Sequence, residues 1–311
     1  MKKVVITGGL GFIGSELANY LFDKYLIYVF DKPKSKMTEY FNDKPLQLIH
    51  RDLGVEAIYD INPDIIVHLG AKSYTDLSNP SEAFFNNVKL TNDILDYSIE
   101  KRKKLIYASS AATYGNGDYG FEDSHEFHKL QKLKPINLYG WSKHNSDLYF
   151  SYKLLNDKSI ENITGLKFFN VYGSNEAHKG HMASVISKMI PLIKEGKEIN
   201  LFKHFHNGIY CEAKRDFIYS GDVCRIIELI INMDTHGSIY NVGTGVNTPF
   251  STLINYVYEI LNIKSSINFI DLPKEYHGKY QMITKASTNR LLNLLDGFSF
   301  TSQKETISNL L

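Results

Sequence analysis

The sequence predicts an α/β fold, a doubly wound parallel sheet with a smaller C-terminal lobe. Three observations carry that expectation. Short β-branched and aromatic runs alternate with helix-length segments through the first half, a glycine-rich turn stands between the first run and the first helical segment, and the alternation loosens after Asn170.

The strand candidates are Lys3–Ile6, Leu26–Phe30, Leu46–His50, Ile65–Leu69, Leu105–Ala108 and Gly165–Phe169. Between them, Phe12–Lys24, Ser81–Lys101 and Tyr139–Leu155 carry apolar residues at roughly helical spacing, and Pro80 before Ser81 marks a helix start. Beyond Asn170 come loops rich in Gly, His and Lys, one amphipathic stretch over Met182–Lys194 and a strand-like Gly237–Val242. Residues 1–169 therefore read as one domain to which 217–245 return, and 170–216 with 246–311 read as the second lobe. The basic run Lys101-Arg102-Lys103-Lys104 reads as a solvated helix end that complements the C-terminal dipole.

With 311 residues, 43% of them apolar, the chain can bury a sizeable core. Its 35 Lys+Arg against 34 Asp+Glu leave a formal charge of +1, without the basic field that nucleic-acid binding requires. No apolar stretch approaches the length of a membrane span, and the opening Met1–Ile6 breaks at once into Gly8, Gly9 and Gly11, so it reads as a strand and not a signal peptide. Cys211 and Cys224 are spaced unlike a metal site, so no metal is expected, and two unpaired thiols suit a reducing cytoplasm.

The turn Thr7-Gly8-Gly9-Leu10-Gly11-Phe12-Ile13-Gly14 follows the first strand and opens the first helix, the context in which such glycines cradle a dinucleotide. Gly9 permits the tight turn, Gly11 lets the backbone approach a pyrophosphate, and Gly14 lets helix and strand pack closely. The phosphate then meets the helix N-terminus. Asp31 ends the second strand about 17 residues later, where an acidic side chain takes a ribose 2′-hydroxyl. Lys32, Lys34 and Lys36 follow it and could neutralise a 2′-phosphate, so NAD and NADP both stay open. Asp52-Leu53 is placed to meet the adenine edge, with a plain polar loop as the competing reading. Gly70-Ala71, with Leu69, Lys72 and Ser73 around them, are expected on the nicotinamide side.

Tyr139-Gly140-Trp141-Ser142-Lys143 puts a phenol and an ammonium four residues apart on one helix face. Ionising a tyrosine near neutrality requires a shift of about three units from about 10, or roughly 4 kcal/mol. One cation about 4 Å away at an effective dielectric near 20 supplies about that much. The pair follows Ser109-Ser110-Ala111-Ala112-Thr113-Tyr114-Gly115 at the C-terminal end of the fifth strand, where open α/β sheets place ligands. Ser110, Tyr139 and Lys143 together form a candidate site for removing a proton from a carbinol while hydride leaves to a nicotinamide.

Tyr107–Gly115, Phe168-Phe169-Asn170-Val171-Tyr172-Gly173 and Lys214-Arg215-Asp216-Phe217 resemble the extended short-chain dehydrogenase/reductases. Glu176-Ala177-His178-Lys179-Gly180-His181-Met182-Ala183-Ser184-Val185, Asn241-Val242-Gly243-Thr244-Gly245 and Gly278-Lys279-Tyr280-Gln281 are similar to the bacterial ADP-L-glycero-D-manno-heptose 6-epimerases. The resemblance runs from Lys2 to about residue 295. It implies a Rossmann sheet, a tightly held NADP (NAD being possible), a nucleotide-sugar substrate, a homo-oligomer, and a hydride taken from and returned to C6″ of the heptose in cell-surface glycan (lipopolysaccharide) assembly.

Carried over by resemblance, Tyr139 is one acid/base and Lys179 the second, with Lys143 and Ser110 supporting Tyr139. Phe12, Ile13, Asp31, Lys32, Lys36, Gly70, Ala71, Asn86, Lys143 and Val171 fall on cofactor positions. Asn170 falls on a sugar position, and Arg215 and Tyr280 on positions that hold the diphosphate. His181, Lys188 and Phe202 fall at or beside substrate positions. His181 stands where the family has a serine, Lys188 where it has a histidine, and Lys203-His204-Phe205 replaces a Glu-Gly-Ser-like segment, followed by an insertion over about His206–Ala213. The loop between Lys36 and Leu46 is also short. Two other readings share these residues: a redox epimerase or net dehydrogenase acting on another nucleotide-sugar, and a cofactor-sensing protein on the same fold.

Overall fold

The computed structural model describes residues 1–32, 41, 46–50, 55–74, 77–206, 209–274 and 281–311. Lys34, Lys36, Asp52, Leu53 and Tyr280 lie outside the described residues. The chain divides into two compact units, residues 1–168 with 223–241, and residues 169–222 with 242–311.

The first unit is built on β1 (Lys3–Thr7), α1 (Phe12–Leu21), β2 (Leu26–Asp31), β3 (Gln47–His50), α2 (Val55–Ile61) and β4 (Ile65–His68). It continues with α3 (Pro80–Ala83), a π-helical turn (Phe84–Lys89), α4 (Leu90–Glu100), β5 (Lys104–Ser110), a 3₁₀ turn (Ala111–Tyr114), α5 (Phe127–Leu130), α6 (Leu138–Asn156) and β6 (Ile163–Phe168). The strand order is β3-β2-β1-β4-β5-β6, all parallel, with β11 (Ser238–Val242) beside β6. Val4, Val5, Ile6, Ile66 and Val67 are fully buried, as continuous apolar strands covered on both faces must be. The order reverses between β1 and β4, and the glycine-rich turn leaves β1 at that switch point.

Asn137 starts α6 by accepting the Gly140 amide on its side-chain oxygen at 2.8 Å. Asn79 caps α3 in the same way, with Pro80 at the first helical position, so the helix begins at Pro80 and not Ser81. The basic run is not uniformly solvated. Lys104 opens β5 and its partly buried ammonium donates to the carbonyls of Ile230, Ile231 and Met233, closing the C-terminus of α8 (Ser220–Asn232).

In the second unit, β7 (Asn170–Tyr172), β10 (Lys214–Tyr219) and β12 (Asn247–Pro249) form one small sheet. A second contains β8 (Ile199–His206), β9 (Ile209–Glu212) and β13 (Ile267–Asp271). The stretch read as an insertion thus supplies β9, the antiparallel return of β8. Tyr172, Ile186, Ile190, Ile193, Phe217, Leu253, Ile254 and Val257 fill its core, contributed mainly by α7 (Val185–Lys194), α9 (Phe250–Leu261) and the strands beside them. Residues 217–222 and 242–245 belong here and not to the first unit, because β10 pairs with β7 and β12 and the buried Asp216 carboxylate accepts the Thr244, Gly245 and Ala286 amides.

Candidate active site

The glycine turn is shaped by close approach. Gly8 adopts φ +66°, and a Cβ there would meet the Gly70 backbone at 2.7 Å; one on Gly14 would meet the Gly8 carbonyl oxygen at 2.3 Å. Helix α1 starts at Gly11 with no side-chain cap, so its N-terminal amides are not claimed by a capping oxygen. These residues fit a dinucleotide pyrophosphate, in a cradle that side chains would fill. The Asp31 carboxylate accepts the Leu10 amide at 3.0 Å and the Lys32 amide at 2.8 Å, which fixes it at the end of β2 beside the turn.

At the end of β4, Thr7 Oγ1 accepts the Gly70 amide and bonds His68 Nδ1 at 2.7 Å, while His68 Nε2 meets Thr91 Oγ1 at 2.9 Å. Burial, helped by the Lys143 charge, pushes the His68 pKa down to about 3, so the imidazole is neutral and serves as a buried strut. Lys72, expected on the cofactor, pairs with Glu82 at 2.9 Å, and Ser73 is exposed. Asn86 donates to the Glu82 carbonyl within its own helical run.

Sequence reading missed its neighbour Asn87, which is fully buried. Its carboxamide accepts the Lys72 amide and donates to the Lys72 carbonyl and Ser142 Oγ, and Ser142 donates on to the Tyr139 carbonyl. The one available signal was a polar residue on an apolar helix face, and the π-helical turn that aims it has no sequence periodicity.

Ser110, Tyr139 and Lys143 come together where β5 ends and α6 begins. Ser110 Oγ accepts the Ala112 amide at 3.1 Å and is hydrogen-bonded to the Tyr139 hydroxyl. The buried Lys143 ammonium donates to the Ala108 carbonyl at 2.8 Å. Burial lowers the Lys143 pKa to about 8, with Asp147 working in the opposite direction, so the ammonium remains largely charged at neutral pH. Burial raises the Tyr139 phenol above its ordinary value, while the Ser110 bond pulls it down. The ammonium is held on Ala108, and desolvation of the phenol sets the direction of its shift.

The second unit holds the remaining predicted residues. Lys179 lies in a 3₁₀ turn (Ala177–Met182) and pairs at 2.9 Å with the fully buried Glu176, whose carboxylate also accepts the Gly173 and Ser184 amides and the Ser184 hydroxyl. Lys179 is thereby an oriented, partly buried ammonium and not a free surface lysine. His181 and Lys188 are exposed, and Lys188 reaches the His181 carbonyl at 3.4 Å. Arg215, 7% exposed, lies 5.9 Å over the Phe250 ring. Asn170 is exposed on β7, its side-chain oxygen accepting from Thr284, with the half-buried Val171 beside it; Phe202 is half-buried on β8. Among the described residues, no cluster of His, Cys, Asp or Glu could hold a metal, and no helix is long and apolar enough to cross a membrane.

Comparison with known proteins places this geometry in a family. Two curated relatives are each named ADP-L-glycero-D-manno-heptose-6-epimerase. The one from Nitratidesulfovibrio vulgaris (strain DP4) is 32% identical, over 98% of this chain and 95% of its own. The one from Fusobacterium nucleatum subsp. nucleatum is 34% identical over 93% and 90%. Among solved structures, the Helicobacter pylori ADP-L-glycero-D-manno-heptose-6-epimerase has a TM-score of 0.79 at 24% identity, covering 99% of this chain and 94% of that one. The UDP-N-acetylglucosamine 4-epimerase of Methanobrevibacter ruminantium M1 has a TM-score of 0.80 at 23% identity, covering 99% and 96%. These two share the fold. The family model matched by residues 4–243 includes the glycine turn, Ser110, Tyr139 and Lys143, and the chain belongs to the NAD dependent epimerase/dehydratase family.

Proposed function

We propose that the protein is a nucleotide-sugar epimerase, and specifically an ADP-glycero-manno-heptose 6-epimerase that inverts C6″ by transient oxidation. The observation that carries this reading is nearly full-length identity of 32–34% to relatives of that name. The Ser110–Tyr139–Lys143 arrangement supports it independently.

A nicotinamide dinucleotide held by the Gly8–Gly14 turn and Asp31 would supply the acceptor and donor for the C6″ hydride. Tyr139 takes the proton of the C6″ hydroxyl, Ser110 Oγ holds the same oxygen and bonds the Tyr139 hydroxyl, and Lys143, one helical turn on and held by the Ala108 carbonyl, supplies a positive charge on the same helix face. Inversion then requires the ketone to present its other face with a proton donor available, and Lys179, oriented by Glu176, is that donor. Asn170 binds the sugar, and Arg215 the diphosphate through its guanidinium fork. NADP is the proposed dinucleotide, with Lys32 beside Asp31 balancing the carboxylate's repulsion of a 2′-phosphate. Neither Cys211 nor Cys224 is part of a disulfide, which fits work in the cytoplasm.

The test supplies each 6″-epimer of ADP-glycero-manno-heptose separately and follows both by NMR. Both should converge on one mixture with no build-up of reduced cofactor. Absence of interconversion overturns the epimerase reading, and reduced cofactor formed one for one with product makes the protein a dehydrogenase.

A further inference from the structure

One turn beyond Lys143 on α6, Asp147 meets Lys167 of β6 at 2.6 Å, both side chains fully buried. The Asp147 carboxylate also accepts from Tyr107 Oη at 3.1 Å and Ser109 Oγ at 2.7 Å, so it ties α6 to β5 at two points. Lys167 donates onward to Thr113 Oγ1 at 2.6 Å, and Thr113 donates to the Ser110 carbonyl at 2.8 Å. The network thus ends on the backbone of one catalytic candidate and starts one helical turn from another.

Burying two opposite charges costs heavy desolvation, and an apolar pair of similar volume often stabilises a fold as well. An ion pair at this position therefore calls for a use beyond stability. We propose that Asp147, itself held by Lys167, is the positioning residue for Lys143: it docks α6 on β5 and keeps an anion one turn away from the ammonium. This rests on the reading of Tyr139 and Lys143 as the redox pair.

The titratable groups packed around this part of α6 are His68 from β4, Tyr107 from β5, Lys167 from β6, and Tyr139, His144 and Asp147 on the helix itself. His68 and His144 are pushed down to about 3 and about 4, chiefly by burial, and Tyr107 is pushed up, so all three are uncharged near neutrality. Of these groups Asp147 is the anion. Burial alone drives Lys143 toward neutrality and Asp147 opposes it, so loss of the carboxylate lowers the Lys143 pKa below about 8 and discharges the ammonium at a lower pH.

The test uses the full chain with Asp147→Asn and Lys167→Met combined, so that no lone charge stays buried. NMR of side-chain-labelled lysine, with the Lys143 signal assigned by its loss in Lys143→Met, reads the ammonium directly in substrate-free protein. Its midpoint should fall by about one pH unit, and the alkaline limb of kcat should move down with it while KM holds. A folded double variant with both at parent values overturns the proposal. If the double variant does not fold, Asp147→Asn combined with Lys167→Gln keeps polar heads in both slots without a lone charge and is read in the same way; an unmoved limb again overturns it. Parent turnover in Tyr139→Phe would instead sink the underlying redox reading, and the lysine titration would still report on Asp147.

Discussion

Asn87 Nδ2 lies 2.9 Å from Ser142 Oγ, so a buried carboxamide on the π-helical turn is tied to the helix that carries Tyr139 and Lys143. The same side chain clamps both backbone groups of Lys72. Asn87→Ala strands the partly buried Lys72 amide and carbonyl, and should cost about 1–3 kcal/mol in urea unfolding. Dinucleotide affinity, measured by calorimetry, should fall with it, because the segment after β4 loses its attachment. Full affinity in a destabilised variant would separate the clamp from the cofactor.

Tyr139→Phe removes the proton acceptor while leaving the ring. The variant should fold and bind cofactor like the parent yet lose at least about a hundredfold in kcat, the usual scale for a positioned acid/base. Steady-state turnover beside a dinucleotide titration checks both halves.

Lys179→Met keeps most of the apolar volume and removes the amine. Epimerisation should fall sharply while one epimer still exchanges hydride through Tyr139, detectable as deuterium exchange from labelled cofactor. Parent-rate interconversion of both epimers would return Lys179 to a structural role as partner of Glu176.

Gly14→Val places a Cβ 2.3 Å from the Gly8 carbonyl oxygen and 2.8 Å from Gly9 Cα, both rigid backbone atoms. The turn must open to admit it. Calorimetry should show dinucleotide binding weakened at least about tenfold, an effect of about 1.4 kcal/mol.

His68 makes stability acid-sensitive. Its pKa falls from 6.5 to about 3 on folding, so below about 6.5 the unfolded chain takes up a proton that the native state refuses. The contribution is complete above that pH and is lost progressively toward 3. Between pH 6.5 and 5 this is worth about 2 kcal/mol, at about 1.4 kcal/mol per unit, and His144 adds in the same direction. The urea midpoint of His68→Gln should therefore drop less than the parent's between pH 7 and pH 5.

What the sequence made legible followed from local rules. The glycine turn, the alternating strands and the Tyr139–Lys143 spacing each depend on residues close in the chain, and β1 and α6 emerged within about two residues of expectation. The unseen parts depend on distance. Asp147 and Lys167 meet across 20 residues, and neither flanking pattern announces a buried charge. The sequence singled out Asn86 and passed over Asn87, which a π-helical turn aims differently. The small sheets of the second unit escaped because β7 and β12 have three residues each, too few for a period-two pattern to register.

The seventh strand of the large sheet, β11, comes from residues 238–242, long after β6 at 163–168. During synthesis β6 is therefore an unprotected edge while about 70 further residues emerge, several seconds at about 5–20 residues per second. The nascent sheet must wait for its last strand across the making of β7 through α8. A chain stalled near residue 200 should recruit holding chaperones and aggregate through that edge, whereas one released past residue 245 should not. The return of β11 ends that exposure of β6 as it completes the seven strands.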